Sequence, residues 1–231
     1  MDIVYVVKNS KNYYKNLRYS LRSLVYLKDY DKVWLIGDRP CWIKDVIHIP
    51  CPDDKKDKQL NVINKILLAC CCPDLSENFI LMNDDFYFLE NTYSIKNYST
   101  GSFKDKIKNY EMKYPNSEYT YALKQALKNM EHLGIEEPYD FEVHYPIVFN
   151  KEDFKSLFDK YVDKTIPTVY RSIYANYYKY KPVITEDFKI YTTFPEEYNR
   201  EFLSTDDGIV NDRKFLRFMN SKFPKKSKYE I

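Results

Sequence analysis

The stretch of residues 79–89 constrains the fold of this chain more than any other. It begins with four apolar residues, a run short enough for a fully buried strand. Asn83, Asp84 and Asp85 follow, and aromatic residues then resume at once. Burying two adjacent carboxylates is costly unless a cation neutralises them, and divalent metals favour such oxygen ligands. The stretch therefore predicts a central strand that delivers Asp84 and Asp85 to a metal ion.

The same three polar residues also fit a plain turn between two strands, because Asn and Asp are common turn formers. The surrounding residues favour the metal site, since an ordinary surface turn has more Gly, Ser and Lys than this stretch. If both acids lie on one strand, they point to opposite faces and only one contacts the ion directly. The sequence leaves open which one does.

The first 90 residues alternate short apolar runs with amphipathic segments, the pattern of βαβ units around a parallel sheet. We predict strands at residues 2–8, 32–37 and 46–51, a turn at 9–12, and helices at 13–27 and about 60–72. Parallel strands end at one edge of a sheet, where ligands bind in open α/β folds. Asp38 and Arg39 follow the second strand, so we expect them beside Asp84 and Asp85.

The second half is richer in predicted helices. They span residues 103–110, 119–132, 151–161, 168–178 and 208–222, with residues 204–207 as the cap of the last one. Residues 139–150 resemble a strand interrupted by Pro146, and a short strand follows Asp187. We therefore predict one α/β domain of 231 residues, with a mostly parallel Rossmann-type sheet flanked by helices and a helix-rich C-terminal half.

Composition gives no support for nucleic acid binding, zinc binding, secretion or a membrane span. The net charge of +2 gives no global argument for nucleic acid binding, and the five cysteines match no zinc-binding spacing. The N-terminus lacks the basic and apolar regions of a signal peptide, and no apolar run reaches membrane-spanning length. We therefore expect a cytoplasmic protein with reduced cysteines and no membrane span.

Several basic and polar residues of the first half are candidates for contacts with phosphate or nucleoside. Arg18 lies on a polar face of the first predicted helix. Lys58 and Asn61 lie where a charged loop leads into the second helix, and a helix N-terminus favours phosphate. For each cation taken singly, a solvated surface position is the commoner alternative.

The chain has three histidines, two of which are expected to be structural. His48 alternates with apolar residues in a strand, and His132 ends a predicted helix, where a positive group is favourable. His144 lies in an apolar segment and fits either a metal or phosphate ligand or a satisfied buried histidine. Both interpretations of His144 stay open.

Several blocks of this sequence resemble, in the same order, blocks of known transferases. Residues 17–24 (LRYSLRSL), 32–38 (KVWLIGD) and 75–86 (LSENFILMNDDF) resemble the conserved blocks of the Stealth-type sugar and sugar-phosphate transferases. Residues 144–146, 171–176, 187–189, 202–207 and 227–230 resemble blocks of short phage-encoded glycosyltransferases. The resemblance covers most of the chain in islands. The chain is shorter than Stealth proteins, which favours simple glycosyl transfer over transfer of a sugar phosphate.

This resemblance implies a glycosyltransferase of the GT-A type with a metal-binding acidic motif. On that basis Asp84 and Asp85 would hold Mn²⁺ or Mg²⁺ together with the donor diphosphate. Asp38 would contact the nucleoside. The other candidates for donor binding are Asn83, Arg39, Arg18, Lys58, Asn61 and His144. His144, Arg171 and Asp187 would together complete the donor and acceptor site.

The predicted activity is transfer of a hexose from a nucleotide sugar, with a UDP-hexose as the expected donor, to an acceptor hydroxyl. Residues 1–90 would bind the donor and residues 91–231 the acceptor. Asp187 or Asp206 is the expected acid–base group, and Arg171 is a further catalytic candidate.

The acceptor and the reaction class each have alternatives. A hydroxymethylated pyrimidine in phage DNA is suggested by the Lys-rich segments 54–58 and 222–228 and by the many tyrosines, and a protein or surface glycan is the alternative. A sugar-phosphate or nucleotidyl transferase would use the same Asp pair. A non-catalytic binding protein with a degenerate fold is the remaining alternative.

Overall fold

A computed structural model describes residues 1–8 and 14–231 of the chain. The strands are β1 (Asp2–Val7), β2 (Val33–Gly37), β3 (Ile47–Ile49), β4 (Asn78–Met82), β5 (Phe86–Phe88), β6 (Tyr98–Ser99), β7 (Ile147–Asn150), β8 (Val183–Ile184), β9 (Lys189–Ile190) and β10 (Phe202–Thr205). The α-helices are α1 (Lys15–Ser23), α2 (Lys58–Cys70), α3 (Phe103–Lys113), α4 (Glu118–His132), α5 (Lys151–Tyr161), α6 (Arg171–Tyr177) and α7 (Arg213–Lys222). Leu24–Tyr26 and Ile209–Asn211 form 3-10 turns.

The central sheet has the strand order β3-β2-β1-β4-β7. β1 pairs in parallel with β2 and β4, β2 pairs in parallel with β3, and β7 runs antiparallel to β4 at one edge. The predicted fold class, α/β with a mostly parallel sheet flanked by helices, is confirmed. Because β2 and β4 run in the same direction, Asp38 and the 83–85 turn lie at the same edge of the sheet.

Helices cover both faces of this sheet, because side chains alternate along each strand. Ile3 and Tyr5 of β1 pack in one hydrophobic cluster with α1, whereas Val4 packs in another with α2, α4, α5 and α6. This cover on both sides explains why the strands appear in the sequence as continuous apolar runs.

A second sheet with the order β5-β10-β9 follows directly from β4. β10 runs antiparallel to β5 and parallel to β9. Residues 83–85 link β4 to β5, so the acidic motif is both a turn and the end of a buried strand. The predicted turn and the predicted end of a buried strand are therefore both found at residues 83–85, and the metal ion stays a prediction. Because Asp84 and Asp85 lie in the turn, the alternation of side chains along a strand does not separate them.

Polar side chains of α1 bind segments that are distant in the sequence. Ser20 Oγ donates to the Phe86 carbonyl (2.6 Å), which ties the helix to β5. On another face, Arg22 donates to both carboxylate oxygens of Glu230 (2.7 and 2.8 Å), and Arg18 donates to one of them (3.3 Å). The C-terminal segment is therefore fastened to α1 by an ion-pair network.

Replacing Glu230 by Ala is expected to lower the free energy of unfolding by about 2–3 kcal/mol. The Glu230 side chain has no exposed surface, and breaking a buried ion pair leaves charges unpaired. Burial raises the pKa of Glu230, but hydrogen bonds from Arg22 and the Ser227 amide outweigh it and lower the pKa. The contribution of the ionised group is therefore lost as the pH falls below about 4.5. Urea unfolding at pH 7 and pH 3.5 measures both effects.

Glu137 provides the control for this substitution. It also forms an ion pair, with Lys104 Nζ at 2.9 Å, but 82% of its side chain is exposed. Replacing Glu137 by Ala is expected to change stability by less than about 0.5 kcal/mol. Equal effects of the two substitutions would contradict a structural role for Glu230.

The boundaries predicted around the last helix are wrong. Ser204 and Thr205 lie in β10 and do not cap a helix, and α7 begins only at Arg213. Asp212 caps it by accepting hydrogen bonds from the amides two and three residues later (2.8 and 3.0 Å). Strand pairing with β5 and β9 thus prevails over a local capping pattern.

Other predicted boundaries also differ from the structure. Residues 139–146 form no strand, and β7 begins only at Ile147, after Pro146. Val25 is exposed, because the helix tightens into a 3-10 turn at Leu24 and rotates Val25 off the apolar face. The predicted turn at 9–12 and the predicted helix start at 13 lie outside the described residues. Within residues 1–8 and 14–231, every helix is too short or too polar to cross a membrane.

Candidate functional site

Three acidic residues gather at the carboxyl edge of the sheet, where β4 ends. Asp84 and Asp85 occupy the turn after β4, and Asp207 follows β10, which pairs with the next strand, β5. Lys58, the first residue of α2, contributes a positive charge that acts on Asp84. The Asp57 carboxylate caps α2, so the chain holds the first turn of this helix in place.

Asp85 is held by two side chains of the second sheet, β5-β10-β9, which is the smaller one and is called the small sheet below. Its Oδ2 atom accepts from Lys189 Nζ (3.2 Å) and from Ser204 Oγ (3.3 Å). Lys189 and Ser204 are paired residues of β9 and β10, so the strand register brings both to one carboxylate. Only 13% of the Asp85 side chain and 14% of the Lys189 side chain are exposed, and salt screens such a pair weakly.

Asp84 is in a different electrostatic position. Among the described residues, no other residue donates a hydrogen bond to its carboxylate. Burial, followed by the negative charges of Asp85 and Asp207, raises the pKa of Asp84 to about 7, and Lys58 offsets part of this effect. When Asp84 is ionised, the three carboxylates therefore carry more negative charge than Lys58 and Lys189 offset.

The oxygen atoms of this cluster suit a hard divalent cation. In the part of the chain that the structure describes, no three His, Cys, Asp or Glu side chains already surround a common metal position. Mg²⁺ is commonly held by one or two carboxylates with substrate phosphates and water, and Asp84 meets that requirement. The Asp84 carboxylate, which accepts no hydrogen bond from another of the described residues, thus fits a metal ion whose remaining coordination positions are filled by substrate phosphates and water.

A second polar cluster forms around His144 and Asp187. Asp187 Oδ2 lies 2.7 Å from His144 Nδ1, and Asp187 Oδ1 accepts from the amides of His144 (2.9 Å) and Phe188 (2.8 Å). Burial raises the pKa of Asp187, but the side-chain and backbone hydrogen bonds from His144 outweigh it and hold the pKa far below its usual range. Asp187 is therefore an ionised carboxylate that fixes the orientation of His144.

Tyr191 lies between the two clusters. Its ring meets the His144 ring edge-on at 6.2 Å, and Lys189 Nζ lies 5.8 Å from the same ring. Because Lys189 also binds Asp85, a continuous row of side chains connects the acidic turn to His144. Asp187 lies two residues before Lys189 in the chain, and Phe188 between them is buried.

Arg171 lies beneath the second cluster. It is only 5% exposed, and its Nη1 atom donates to the carbonyls of Val143 and Tyr145, the two neighbours of His144. Its Nη2 atom is buried without a hydrogen-bond partner in the described part of the chain. Arg171 therefore fixes the backbone on both sides of His144.

Three predicted donor contacts are engaged elsewhere in the chain. Arg18 binds Glu230, and its guanidinium lies 4.3 Å from the Trp42 ring. Arg39 is exposed and donates to the Ile43 carbonyl (3.4 Å). Asn61 accepts from the Lys55 amide (2.9 Å) and donates to the Lys55 carbonyl (2.8 Å), so its amide stabilises the loop before α2. Among the described residues, none of these three forms a hydrogen bond or an ion pair with Asp84.

Asp38, Asp206 and His48 lie near strand ends. The Asp38 amide donates to the Val7 carbonyl (3.3 Å), which places Asp38 at the edge predicted for it. The Asp206 carboxylate accepts from the Gly208 amide (3.2 Å) and so stabilises the turn after β10. His48 Nε2 lies 2.8 Å from the Gly37 carbonyl, in agreement with a structural role.

The contacts of Lys189, Ser204 and Tyr191 were not predicted from the sequence. The alternation in Asp187-Phe188-Lys189 was a usable signal, because an apolar residue between two charged ones places both charges on one side of a strand. The pairing of Lys189 and Ser204 with Asp85 had no local signal, since these residues lie more than 100 positions away.

Comparisons with known proteins identify only distant similarities. No protein-family model matches this sequence, and no curated protein matches it. Among solved structures, the galactosyltransferase LgtC in complex with donor and acceptor sugar analogs is 10% identical, with 96% of each chain covered and a TM-score of 0.47. The glycosyltransferase GlyE of Streptococcus pneumoniae TIGR4 is 9% identical, with 79% of this chain and 44% of that chain covered and a TM-score of 0.37. Mouse xyloside xylosyltransferase 1 is 7% identical, with 82% and 88% covered and a TM-score of 0.39. Similarities this distant assign no function to the chain.

Proposed function

We propose that this protein is a metal-dependent glycosyltransferase that moves a hexose from a nucleoside diphosphate sugar, with a UDP-hexose as first choice, to an acceptor hydroxyl. The observation that carries the proposal is the meeting of Asp84, Asp85 and Asp207 at the end of β4, opposite Lys58 at the start of α2. Such an edge of a parallel sheet is where open α/β folds bind ligands. The resemblance of the sequence blocks to sugar transferases supports the reaction class.

The two adjacent acids have different tasks in this proposal. Asp84 would hold Mn²⁺ or Mg²⁺, because Asp85 already binds Lys189 and Ser204. The bound cation would offset negative charge on the departing diphosphate. Lys189 fixes Asp85 in the turn. Lys58, the first residue of α2, would favour phosphate at the helix N-terminus. Asp38, at the end of β2, is the candidate contact for the nucleoside.

Thermal unfolding with a panel of nucleotide sugars tests the donor. A ligand that binds only the folded state at a hundredfold excess over its Kd adds about 2.7 kcal/mol of stability. For a chain of this size we expect a rise in Tm of about 5–10 °C, for one UDP-hexose and only with Mn²⁺ or Mg²⁺. The absence of any response across the panel would refute the proposed function.

Product analysis separates the reaction classes. A glycosyltransferase releases a nucleoside diphosphate and leaves the sugar on the acceptor. Release of pyrophosphate or a nucleoside monophosphate would instead support the nucleotidyl or sugar-phosphate transferase. If replacing Asp84 and Asp85 by Ala leaves both donor hydrolysis and metal-dependent binding unchanged, the non-catalytic alternative is favoured.

The position of the Lys-rich segments bears on the acceptor. Lys58, the last residue of segment 54–58, acts electrostatically on Asp84. The C-terminal segment lies elsewhere: Lys228 Nζ is 5.3 Å from the Tyr30 ring, and Tyr30 precedes β2 at the amino edge of the sheet. Segment 54–58 alone therefore supports hydroxymethylated DNA as the acceptor. Sugar transfer to hydroxymethylated but not to unmodified duplex would support it, and transfer only to a protein or glycan would contradict it.

A further inference from the structure

We propose that His144 is the base that takes the proton from the acceptor hydroxyl, and that Asp187 is its positioning residue. This inference rests on the proposed glycosyl transfer and assigns a residue to its proton transfer. It differs from the expectation from sequence, in which Asp187 or Asp206 was the acid–base group and His144 was a candidate metal or phosphate ligand or a buried structural histidine.

The hydrogen bonds around His144 leave one ring nitrogen available. Asp187 accepts from the backbone amide of His144 through Oδ1 and faces ring atom Nδ1 through Oδ2. A carboxylate accepts hydrogen bonds and does not donate them, so this contact places the ring proton on Nδ1. Nε2 then carries the free lone pair. In the described part of the chain, no hydrogen bond from another residue reaches Nε2.

Asp187 itself is poorly suited to accept the proton. One of its oxygens accepts two amide hydrogen bonds, and the other is directed at the His144 ring. The Lys106 charge also favours the ionised form of Asp187. The carboxylate is therefore suited to stabilise a protonated His144, and it is not available to accept a proton from a substrate.

His144 is accessible and lies beside the donor site. Its side chain is 27% exposed, and its ring meets that of Tyr191, which is 52% exposed. On its other side Tyr191 approaches Lys189, which binds Asp85. An acceptor lying on Tyr191 would therefore have His144 at one end and the acidic turn at the other.

The reaction step balances without any further reactant. The acceptor oxygen forms a bond to the anomeric carbon while the bond from that carbon to the diphosphate oxygen breaks. The electron pair of the broken bond leaves with the nucleoside diphosphate. The hydroxyl proton passes to Nε2 of His144, and the resulting imidazolium is stabilised by the Asp187 carboxylate before it releases the proton to water.

Steady-state kinetics of His144→Ala and Asp187→Asn test this assignment, with His132→Ala as the control. His132 is an exposed histidine at the end of α4. General base catalysis contributes about 10²–10⁴-fold, so we expect kcat of His144→Ala to fall by that factor. We expect about a hundredfold fall for Asp187→Asn, with KM for the donor within threefold of wild type in both. His132→Ala should retain the wild-type kcat.

Two further measurements distinguish a base from a structural residue. Imidazole in the buffer should raise the kcat of His144→Ala at least tenfold and should leave the kcat of Asp187→Asn unchanged. Nitrogen-15 NMR of the wild-type protein should show the His144 ring protonated at Nδ1, and this measurement depends on no variant folding. A neutral ring protonated at Nε2, or a kcat of His144→Ala within threefold of an active wild type, would overturn the assignment.

Failure of the proposed function is recognised separately. If the wild-type chain transfers no sugar from any donor, glycosyl transfer is refuted, and the role of His144 is refuted with it. If the wild type is active and Asp84→Asn is not, while His144→Ala retains full kcat, only the assignment of His144 is refuted.

Discussion

Replacing Asp84 by Asn is expected to abolish metal-dependent sugar transfer and, in the absence of metal, to make the protein more stable. The substitution keeps the shape of the side chain but removes the charge that would hold the cation, and such a cation contributes several kcal/mol to the transition state. We expect kcat/KM to fall by at least about a hundredfold, and the Tm increase caused by metal and nucleotide sugar together to disappear.

The gain in stability follows from the direction of the pKa shift. Burial and the charges of Asp85 and Asp207 raise the pKa of Asp84 from 3.8 to about 7 in the folded protein. The folded state therefore binds this proton more tightly than the unfolded state, so stability falls as the pH rises from about 4 to 7 and stays reduced above that. Asn carries no charge and avoids this loss.

Calorimetry in EDTA at pH 5 and pH 8 measures this effect. Because each pKa unit corresponds to about 1.4 kcal/mol and the three acids share their repulsion, we expect Asp84→Asn to be about 2 kcal/mol more stable at pH 8. This corresponds to about 4–8 °C in Tm, and the gain should be smaller at pH 5.

Asp74→Asn is the matched control for Asp84→Asn, because Asp74 is an exposed aspartate in the turn after α2. We expect it to leave both the Tm and the activity unchanged. A destabilised Asp84→Asn at pH 8 would show that Asp84 is paired in the free protein. That result would remove the argument for a cation at this carboxylate.

The parts of the fold that the sequence predicts are those with local causes. The apolar runs of β1, β2 and β4 and the helical period of α2 are properties of short segments, and they suffice to place Asp38 and Asp84 at one edge. The position of Asp84 follows from the same pattern, because an apolar run ends where a parallel strand ends.

The parts that the sequence does not predict depend on distant pairing. Glu230 lies 208 residues from Arg22, and nothing near either residue indicates the ion pair that occupies the basic face of α1. Ser204 is followed by two acids in a pattern that resembles a helix cap, yet it lies in a strand because β10 pairs with both β5 and β9. Local sequence patterns predict secondary structure poorly where pairing with a distant strand satisfies the same backbone groups.

The small sheet gives the two polar clusters a common support. β5 leaves the acidic turn, β10 pairs with it, and β9 supplies Lys189 to Asp85. Asp187, two residues before Lys189, holds His144. A displacement of β9 would therefore disturb both clusters together, so the distance between the 83–85 turn and His144 depends on this one short strand.

Replacing Gly37 by Ala is expected to cause a large loss of stability. A Cβ atom built on Gly37 would lie 1.9 Å from the Val7 carbonyl oxygen, and the residue has φ +119°, which L-residues rarely adopt. The same oxygen accepts hydrogen bonds from Lys65 Nζ (2.8 Å) and from the Asp38 amide (3.3 Å). The bare backbone of Gly37 therefore permits the contacts that join β1, β2 and α2 at the edge that carries the site.

Backbone strain of this kind costs about 1–3 kcal/mol, and the overlap with a carbonyl in the central sheet adds to it. We expect Gly37→Ala to lose more than about 3 kcal/mol, or at least about 6–12 °C in Tm. Gly101→Ala separates the two causes, because Gly101 has a similar φ of +106° but nothing within 4 Å of its Cβ position. Gly208→Ala, with an ordinary φ of −68° and its first contact at 3.9 Å, provides the baseline.

Urea unfolding of the three variants should therefore rank Gly208→Ala as the most stable, Gly101→Ala as intermediate and Gly37→Ala as the least stable, or as insoluble. If Gly37→Ala is only as unstable as Gly101→Ala, the overlap with Val7 is relieved by a small shift of β1, and backbone strain alone explains the glycine. If it is as stable as Gly208→Ala, β1 and β2 are not joined at this edge as described. The position of Asp38 relative to Asp84 would then need to be determined again.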